Sequence, residues 1–450
     1  MVAAGRSAPI AVYRTDSFSC CMVGTGGSTV VTFAELRDAK PQLWSTAAQD
    51  LRKAAQQCER VVGDIYDNGV QPLQESWADH VGELAVGVLK DIAAKAQTTS
   101  VLARAGAEPV DALDNAVLTA QNELENGVRL AETNGLKVDP VTGKVSLPRS
   151  LGAEADPMAM LMTMRHAQSL INDAIEAANQ ADNLCTDALR AANNNAANPE
   201  TTVERAQEVQ SENVRRALEE IRDTLPDGLS PSEVAAWWSG LTPKEQFDLQ
   251  RAVPVELSDL EGIPESVKSE LTNDGCGYNP VETVRWAVDN AHNDGLDRLD
   301  NNCTLFASEA LRAGGLDEKD GQWSKRDWLN PVPNIPGFNG KDLDGQRYTT
   351  SWYNADQQRD FFLDNGGAEV SLSQARPGDV IYFNWADPEL HNGEVSHHTA
   401  VVTAVLPDGE VLYTQHTPGA LNYGYESRLP VRAQEEGGAG VTIVRPKETW

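Results

Sequence analysis

Apolar residues recur every three or four positions through most of the first 225 residues, and that period predicts helices. Leu51, Ala54, Ala55, Cys58, Val61, Val62 and Ile65 mark one face, and after Asn68-Gly69 and Pro72 the spacing resumes in Val81, Leu84, Val88, Leu89 and Ile92. The two runs predict a helical hairpin with Trp77 in or beside its turn. A third run, Val110, Leu113, Val117, Ala120, Leu124 and Val128, begins after Pro109 and stops at Asn134-Gly135, a C-terminal helix signal. Residues 31–135 therefore read as a long, narrow helical bundle. Residues 1–30 have no period and are rich in Gly, Ser and Thr, the composition of a disordered segment.

Residues 136–157 hold Pro, Gly and Asp and read as a linker. A second helical module over 158–225 carries the stripe Leu161, Met164, Leu170, Ile171, Ala174, Ile175, Ala178 and Leu184; Thr201 with Glu204 supplies a capping box for its later helix. In 226–275, Ser230-Pro231-Ser232-Glu233 and Thr242-Pro243-Lys244-Glu245 each combine an N-cap hydroxyl, a first-turn Pro and a Glu that reaches back. They predict two short helices in a connector.

From about residue 276 to 450 the pattern changes, with more Trp, Tyr, Gly and Pro and the first period-2 stretches. Phe306, Ala307, Ala310 and Leu311 form the face of a helix that starts at Cys303 and ends at Gly314-Gly315. Pro377-Gly378-Asp379 turns into a strand, and Ser396–Val405 pairs through Pro407-Asp408-Gly409 with Val411–His416. The fold class expected is multidomain, an all-α N-terminal region followed by an α+β domain whose antiparallel sheet packs on the cysteine helix.

Composition narrows the field. A net charge of -30 on 450 residues disfavours nucleic acid and anionic membranes as partners, because phosphate binding needs clustered Lys and Arg. No apolar run approaches the roughly 20 residues of a membrane-spanning helix, and residues 1–31 lack the continuous apolar core of a secretory signal peptide. Export, if it occurs, needs a non-classical route. The six cysteines show neither CxxC pairs nor the density of a disulfide scaffold; Cys58 and Cys185 read as small core residues.

Cys303 differs because the first turn of a helix favours a thiolate, the nucleophilic form of the side chain. Histidines 391, 397, 398 and 416 all follow it. The strand pattern puts His398 at the start of one hairpin strand and His416 at the end of the other. His397 points to the opposite face from His398; His398 is preferred because Ala400 and Val402 share its face and can pack on the cysteine helix. Gln415 or Asn384 can stand in for His416 as the orienting group, and His391 reads as a loop residue. A metal site built from Cys303 and these histidines is the chemical competitor, but the short ligand spacings usual for zinc are missing. No metal and no cofactor are expected.

Asn302-Cys303-Thr304-Leu305-Phe306-Ala307-Ser308, Trp323, Ser351-Trp352, Pro377-Gly378-Asp379-Val380-Ile381 and His398-Thr399-Ala400-Val401-Val402-Thr403 together resemble the putative amidase domain family, relatives of the NlpC-type and CHAP cysteine hydrolases, over about 278–435. The family usually has Asp-Cys-Thr-Asn-Phe-Val-Ser-Gln where this chain has Asn302, Leu305 and Glu309. The resemblance implies a papain-like domain, with Cys303 as nucleophile, His398 as general base and His416 as third member. Asn301 or Asn302 would assist the Cys303 N–H in holding the oxyanion. Trp323, Trp352 and Trp385 are candidates for a substrate groove, as is Trp328. The implied substrate is a peptide or peptidoglycan amide.

Residues 31–135 resemble the WXG-type hairpins of actinobacterial type VII secretion substrates, although Trp77-Ala78-Asp79 lacks the Gly and Tyr66 is followed at the fourth position by Val70. That resemblance implies secretion components or a WXG-like protein as partners, and an exported hydrolase or toxin. A catalytically silent interaction protein and a transferase on the same scaffold are the rival readings.

Overall fold

A computed structural model of the chain describes residues 30–148, 157–272, 275–325, 348–425 and 438–450, apart from 78, 298, 300 and 386. The disorder expected for 1–30, Ala78 of the Trp-Ala-Asp turn and Trp328 of the proposed groove fall on residues outside that set, save Val30 itself. Two compact units share the chain, one formed by residues up to 56 with 102–201, the other by 57–101 with 202–450.

The helical region runs through α1 (Phe33–Asp38), α2 (Gln42–Ile65), α3 (Gln71–Ser76), α4 (His80–Thr133), a two-strand hairpin β1 (Lys137–Val138) and β2 (Val145–Ser146), and α5 (Pro157–Ala197). In the first unit, Leu113, Val117, Ala120 and Leu124 of α4 form one core with Ala167, Ile171, Ala174, Ala178 and Cys185 of α5. Small residues at helical spacing let the two backbones approach closely. At Gly127 even a Cβ would meet Ile171 Cγ1 at 2.9 Å.

Two sequence expectations need correction here. No break precedes Pro109: α4 is a single helix of 54 residues with Pro109 inside it. Proline removes one intrahelical hydrogen bond, and beside that gap Arg52 of α2 bridges Glu108 and Asp111. Likewise the cap of α6 (Val203–Asp223) is Thr202, whose hydroxyl accepts from Arg205 N, one residue later than the spacing of Thr201 and Glu204 suggests.

In the second unit, residues 57–101 turn from α2 into α4 through a π-helical turn, Tyr66–Val70, and α3. Val86, Ala93 and Val101 of α4 are buried, whereas the stripe Val81, Leu84, Val88 and Ile92 is about half exposed. Period alone finds an apolar face and does not say what covers it. The connector gives α7 (Pro231–Gly240) and α8 (Pro243–Ala252), each with the capping box read from the sequence, then α9 (Pro254–Asp259) and α10 (Glu265–Thr272).

The C-terminal region contains α11 (Pro280–Asn290), α12 (Cys303–Ala313), α13 (Thr350–Tyr353), α14 (Ala355–Asp364), β3 (Ala368–Val370), β4 (Val380–Trp385), β5 (Ser396–Val405), β6 (Val411–Gln415), β7 (Ala420–Gly424) and β8 (Gly438–Arg445). The six strands β3 to β8 form one antiparallel sheet in the order β3-β8-β4-β5-β6-β7. Alternation assigns its faces. Val380, Tyr382, Val401 and Val444 pack with Leu305, Phe306, Ala310 and Leu311 of α12, and Ile381, Phe383, Ala400, Val402 and Ile443 form a separate core on the other face.

This corrects the reason for preferring His398: Ala400 and Val402 pack away from the cysteine helix, and Thr399 and Val401 pack toward it.

Candidate active site

Cys303 is the first residue of α12 and is buried, with its Sγ 3.7 Å from Thr304 Oγ1. Two hydrogen bonds fix the helix start against the sheet. The Thr304 and Thr399 hydroxyls bond at 2.9 Å, and Asn302 N donates to Thr417 Oγ1 at 3.3 Å. Thr399 directly follows His398, and Thr417 lies two residues beyond Gln415. The cysteine and the first imidazole, remote in sequence, are thus carried on segments tied to each other.

Deeper along α12, Ser308 Oγ accepts from Trp323 Nε1 at 3.0 Å and Gln358 Nε2 at 2.7 Å and donates to the Trp352 carbonyl at 2.9 Å. Tyr382 donates to Gln358 Oε1 at 3.0 Å. A buried polar network that is satisfied in this way fixes the helix in one position on the sheet.

His398 is buried on the face of Phe383, with ring centroids 5.6 Å apart. Its Nε2 is 2.8 Å from Gln415 Oε1, and Gln415 Nε2 donates to the Pro418 carbonyl at 3.1 Å. The second bond orients the Gln415 amide, so its oxygen faces the imidazole and His398 Nε2 carries the hydrogen. In the neutral ring, Nδ1 is then the proton acceptor.

His416 does not occupy the third position expected of it. Its Nδ1 is 2.9 Å from the Ala291 carbonyl, its Nε2 is 2.9 Å from Asp297 Oδ1, and its ring stacks on Phe306 with centroids 6.0 Å apart. The physical reason is alternation: adjacent residues at the end of β6 point to opposite faces, and Gln415 is the one on the His398 face. The other alternative, Asn384, is engaged with Ser396 Oγ and Thr442 Oγ1 at 2.8 and 3.0 Å.

The oxyanion candidates separate as well. Asn302 is buried and its amide is paired with the backbone of Leu299 in both directions, so it is a structural clasp and not a free donor. Asn301 is exposed, and its Oδ1 accepts the Cys303 N–H at 3.2 Å. Trp323 and Trp352 are fully buried, their centroids 4.6 Å apart, and belong to the core rather than to a groove; an aromatic pair is a major core element because each ring carries a large apolar area. Trp385 is partly exposed and sits between His391, stacked at 3.7 Å, and His397 at 4.1 Å.

Sequence reasoning missed the residues that hold the start of β5. Arg359 pairs with Asp356 at 2.8 Å, and Asp356 Oδ1 accepts the Val395 and Ser396 N–H groups at 2.8 and 3.0 Å. The i, i+3 charge pair on a helix was the available signal, but such pairs are usually surface features. At the other end of β4, Asp379 accepts from Arg445 Nε at 2.8 Å and from Arg376 N at 3.0 Å. Burial pushes the Asp379 carboxyl up, against the pull of Arg445. Among the described residues no three His, Cys, Asp or Glu side chains gather as metal ligands, and no helix is long and apolar enough to cross a membrane.

Residues 277–433 match the model of the putative amidase domain family. This segment is similar to the amidase-type hydrolases of that family. Comparison with curated proteins and with solved structures finds no match for the chain. The matched segment takes in Cys303, His398 and Gln415 together, along with the residues that tie α12 to β5.

Proposed function

We propose that the C-terminal domain is a cysteine-dependent amide-bond hydrolase of papain-like organisation, with Cys303 as nucleophile, His398 as general base and Gln415 in the orienting position. The observation that carries the reading is the hydrogen bond from His398 Nε2 to Gln415 Oε1, made from β5, the strand to which Thr304 and Thr399 clamp the cysteine helix. A polar neighbour that holds one ring nitrogen of a base fixes its tautomer and orientation.

His398 Nδ1 takes the Cys303 proton and the thiolate attacks the amide carbonyl. The Cys303 N–H, released as the exposed Asn301 side chain swings aside, donates to the oxyanion. Breaking the C–N bond sends the proton from the imidazolium to the departing amine and leaves a thioester, which water cleaves to the carboxylic acid. The substrate class is a peptide or cell-wall amide, and the N-terminal helices serve export by a type VII-like route or bind a WXG-like partner. Support for these last two points is the sequence resemblance alone.

One observation favours a second assignment of the base: Thr399 faces α12, and His397, next to the irregularity in register at Phe383/Asn384, is two positions before it. Hydrolysis of peptide and peptidoglycan-fragment amides by the full chain tests both. Cys303→Ala is expected to reduce turnover by about 10³-fold or more. His398→Ala should match it while His397→Ala retains activity; the reverse order would move the base to His397. Alkylation of Cys303 no faster than that of Cys58 would leave an interaction protein as the better reading.

A further inference from the structure

Thr403 of β5, Thr414 of β6 and Asn422 of β7 are buried and bonded to one another. Thr414 Oγ1 accepts the Asn422 N–H at 3.2 Å and lies 3.0 Å from Thr403 Oγ1, and the Thr403 hydroxyl donates to Asn422 Oδ1 at 2.7 Å. A hydroxyl has one hydrogen to give. Because Thr403 gives it to the Asn422 oxygen, the amide is oriented with its NH2 away from the threonines. Among the described residues nothing accepts from Asn422 Nδ2, although the side chain is only 5% exposed.

Asn422 and Thr403 line a cavity of about 260 Å³ that α6, α9 and α11 complete. Leu218, Val255, Val284 and Val288 make its walls apolar. Arg222 and Glu256, each about a third exposed, stand at its open end and pair with each other at 2.5 Å, while Thr403 and Asn422 form its buried end. A buried N–H almost always has an acceptor in a native protein. Here the missing acceptor would sit inside an apolar enclosure.

We propose that this cavity binds a small, uncharged carbonyl compound, whose oxygen accepts from Asn422 Nδ2 and whose apolar body packs against Val284 and Val288. The chemistry of the buried end selects the class. A donor there calls for an acceptor, which excludes an ammonium or guanidinium head. A carboxylate would exchange its hydration for a neutral amide donor between apolar walls, a transfer far more costly for an ion than for a neutral carbonyl. Pockets for drug-sized ligands hold about 300–1,000 Å³, so this one suits a smaller molecule. The site is separate from the candidate active site, because Thr403 lies five residues beyond His398 in β5, about 17 Å along the strand. Binding here does not depend on Cys303 acting as a nucleophile.

The test is a ligand-observed NMR titration of the full chain with acetophenone, with isopropylbenzene, which has nearly the same shape without the oxygen, and with benzoate. Acetophenone is expected to bind at least about tenfold more tightly than benzoate. Asn422→Asp keeps the size of the side chain and turns the free donor into an acceptor; it should weaken acetophenone about tenfold and leave isopropylbenzene nearly unchanged. Val288→Phe fills the cavity and should abolish the binding of both. Should the Asn422 variant fail to fold, as judged by circular dichroism, Thr403→Val removes the hydroxyl that orients the amide and should weaken acetophenone more than isopropylbenzene. No saturable binding of acetophenone, tighter binding of benzoate, equal losses for acetophenone and isopropylbenzene in the Asn422 or Thr403 variant, or binding that survives Val288→Phe would overturn the proposal.

Discussion

The helical core of the first unit and the core of the C-terminal domain are built from opposite materials. The first is lined by Ala167, Ala174, Ala178, Ala181 and Cys185, small side chains that carry few polar atoms inward. The second buries Trp323, Trp352, Phe306, Phe362 and Tyr382 together with Ser308, Gln358, His398 and Gln415. A helix pair needs only a continuous apolar stripe to close. A site that holds an imidazole against an amide is positioned by the pairing of its buried polar groups, as Ser308 with Gln358 and His398 with Gln415 are paired here.

The comparison can be broken most forcefully at its aromatic end. Trp352→Ala should destabilise the C-terminal domain by about 3–5 kcal/mol, the usual cost of deleting a buried aromatic ring, read by chemical denaturation. A loss much smaller than this would mean that the polar network, and not the aromatic core, holds α12 in place.

Next in size is the contrast between the two neighbouring side chains at the end of β6. On the proposed mechanism, Gln415→Ala is expected to lower kcat by about 10- to 100-fold, the range for losing a group that orients a catalytic ligand or base, with little change in KM. His416→Asn should leave turnover nearly intact and lower stability by about 1–3 kcal/mol, because the contacts of the ring with Asp297 and the Ala291 carbonyl are lost. Steady-state kinetics with thermal unfolding of both variants separates the roles.

In the helical unit, Gly127→Ala is predicted to cost about 1–3 kcal/mol, since the new methyl meets Ile171 and the Ala167 carbonyl, at 2.9 and 3.1 Å. The same change at exposed Gly87, where nothing lies within 4 Å, should stabilise α4 slightly, because Ala is the better helix former.

The last expected effect is one of pH. Burial, aided by Asp223, pushes the Glu220 carboxyl of α6 from 4.5 up to about 8. An acid with a raised pKa in the folded state binds its proton more tightly there, so its contribution to stability is complete below pH 4.5 and is lost as pH rises through about 8. Glu220→Gln should flatten the stability profile across that window and exceed the parent above it, as measured by thermal unfolding at several pH values.

Much of the helical region was legible because its signals are local. Ser230 and Thr242 start their helices with capping boxes that the sequence displays, and Asn134-Gly135 ends α4. Pro109 misled for the same reason: as a local signal it ends a helix, yet α4 runs through it, with Arg52, 59 positions from Asp111, paired to the carboxylates on either side. The hairpin of β5 and β6 was readable from its turn, yet the face that meets α12 was not. Ala400 and Val401 are equally apolar, and nothing in their order tells which one looks toward the cysteine helix.

What the sequence determined by itself was the helical character of the N-terminal region, the two capped helices of the connector, the hairpin of β5 and β6, and the position of Cys303 at a helix start. Tertiary structure decided which neighbour each ring meets: Gln415 for His398, Asp297 and the Ala291 carbonyl for His416, and Trp385 for His391 and His397. Period and caps depend on residues three or four apart, which the chain order contains. Partner choice depends on strand register and on the direction of each side chain, which are fixed only when distant segments pack.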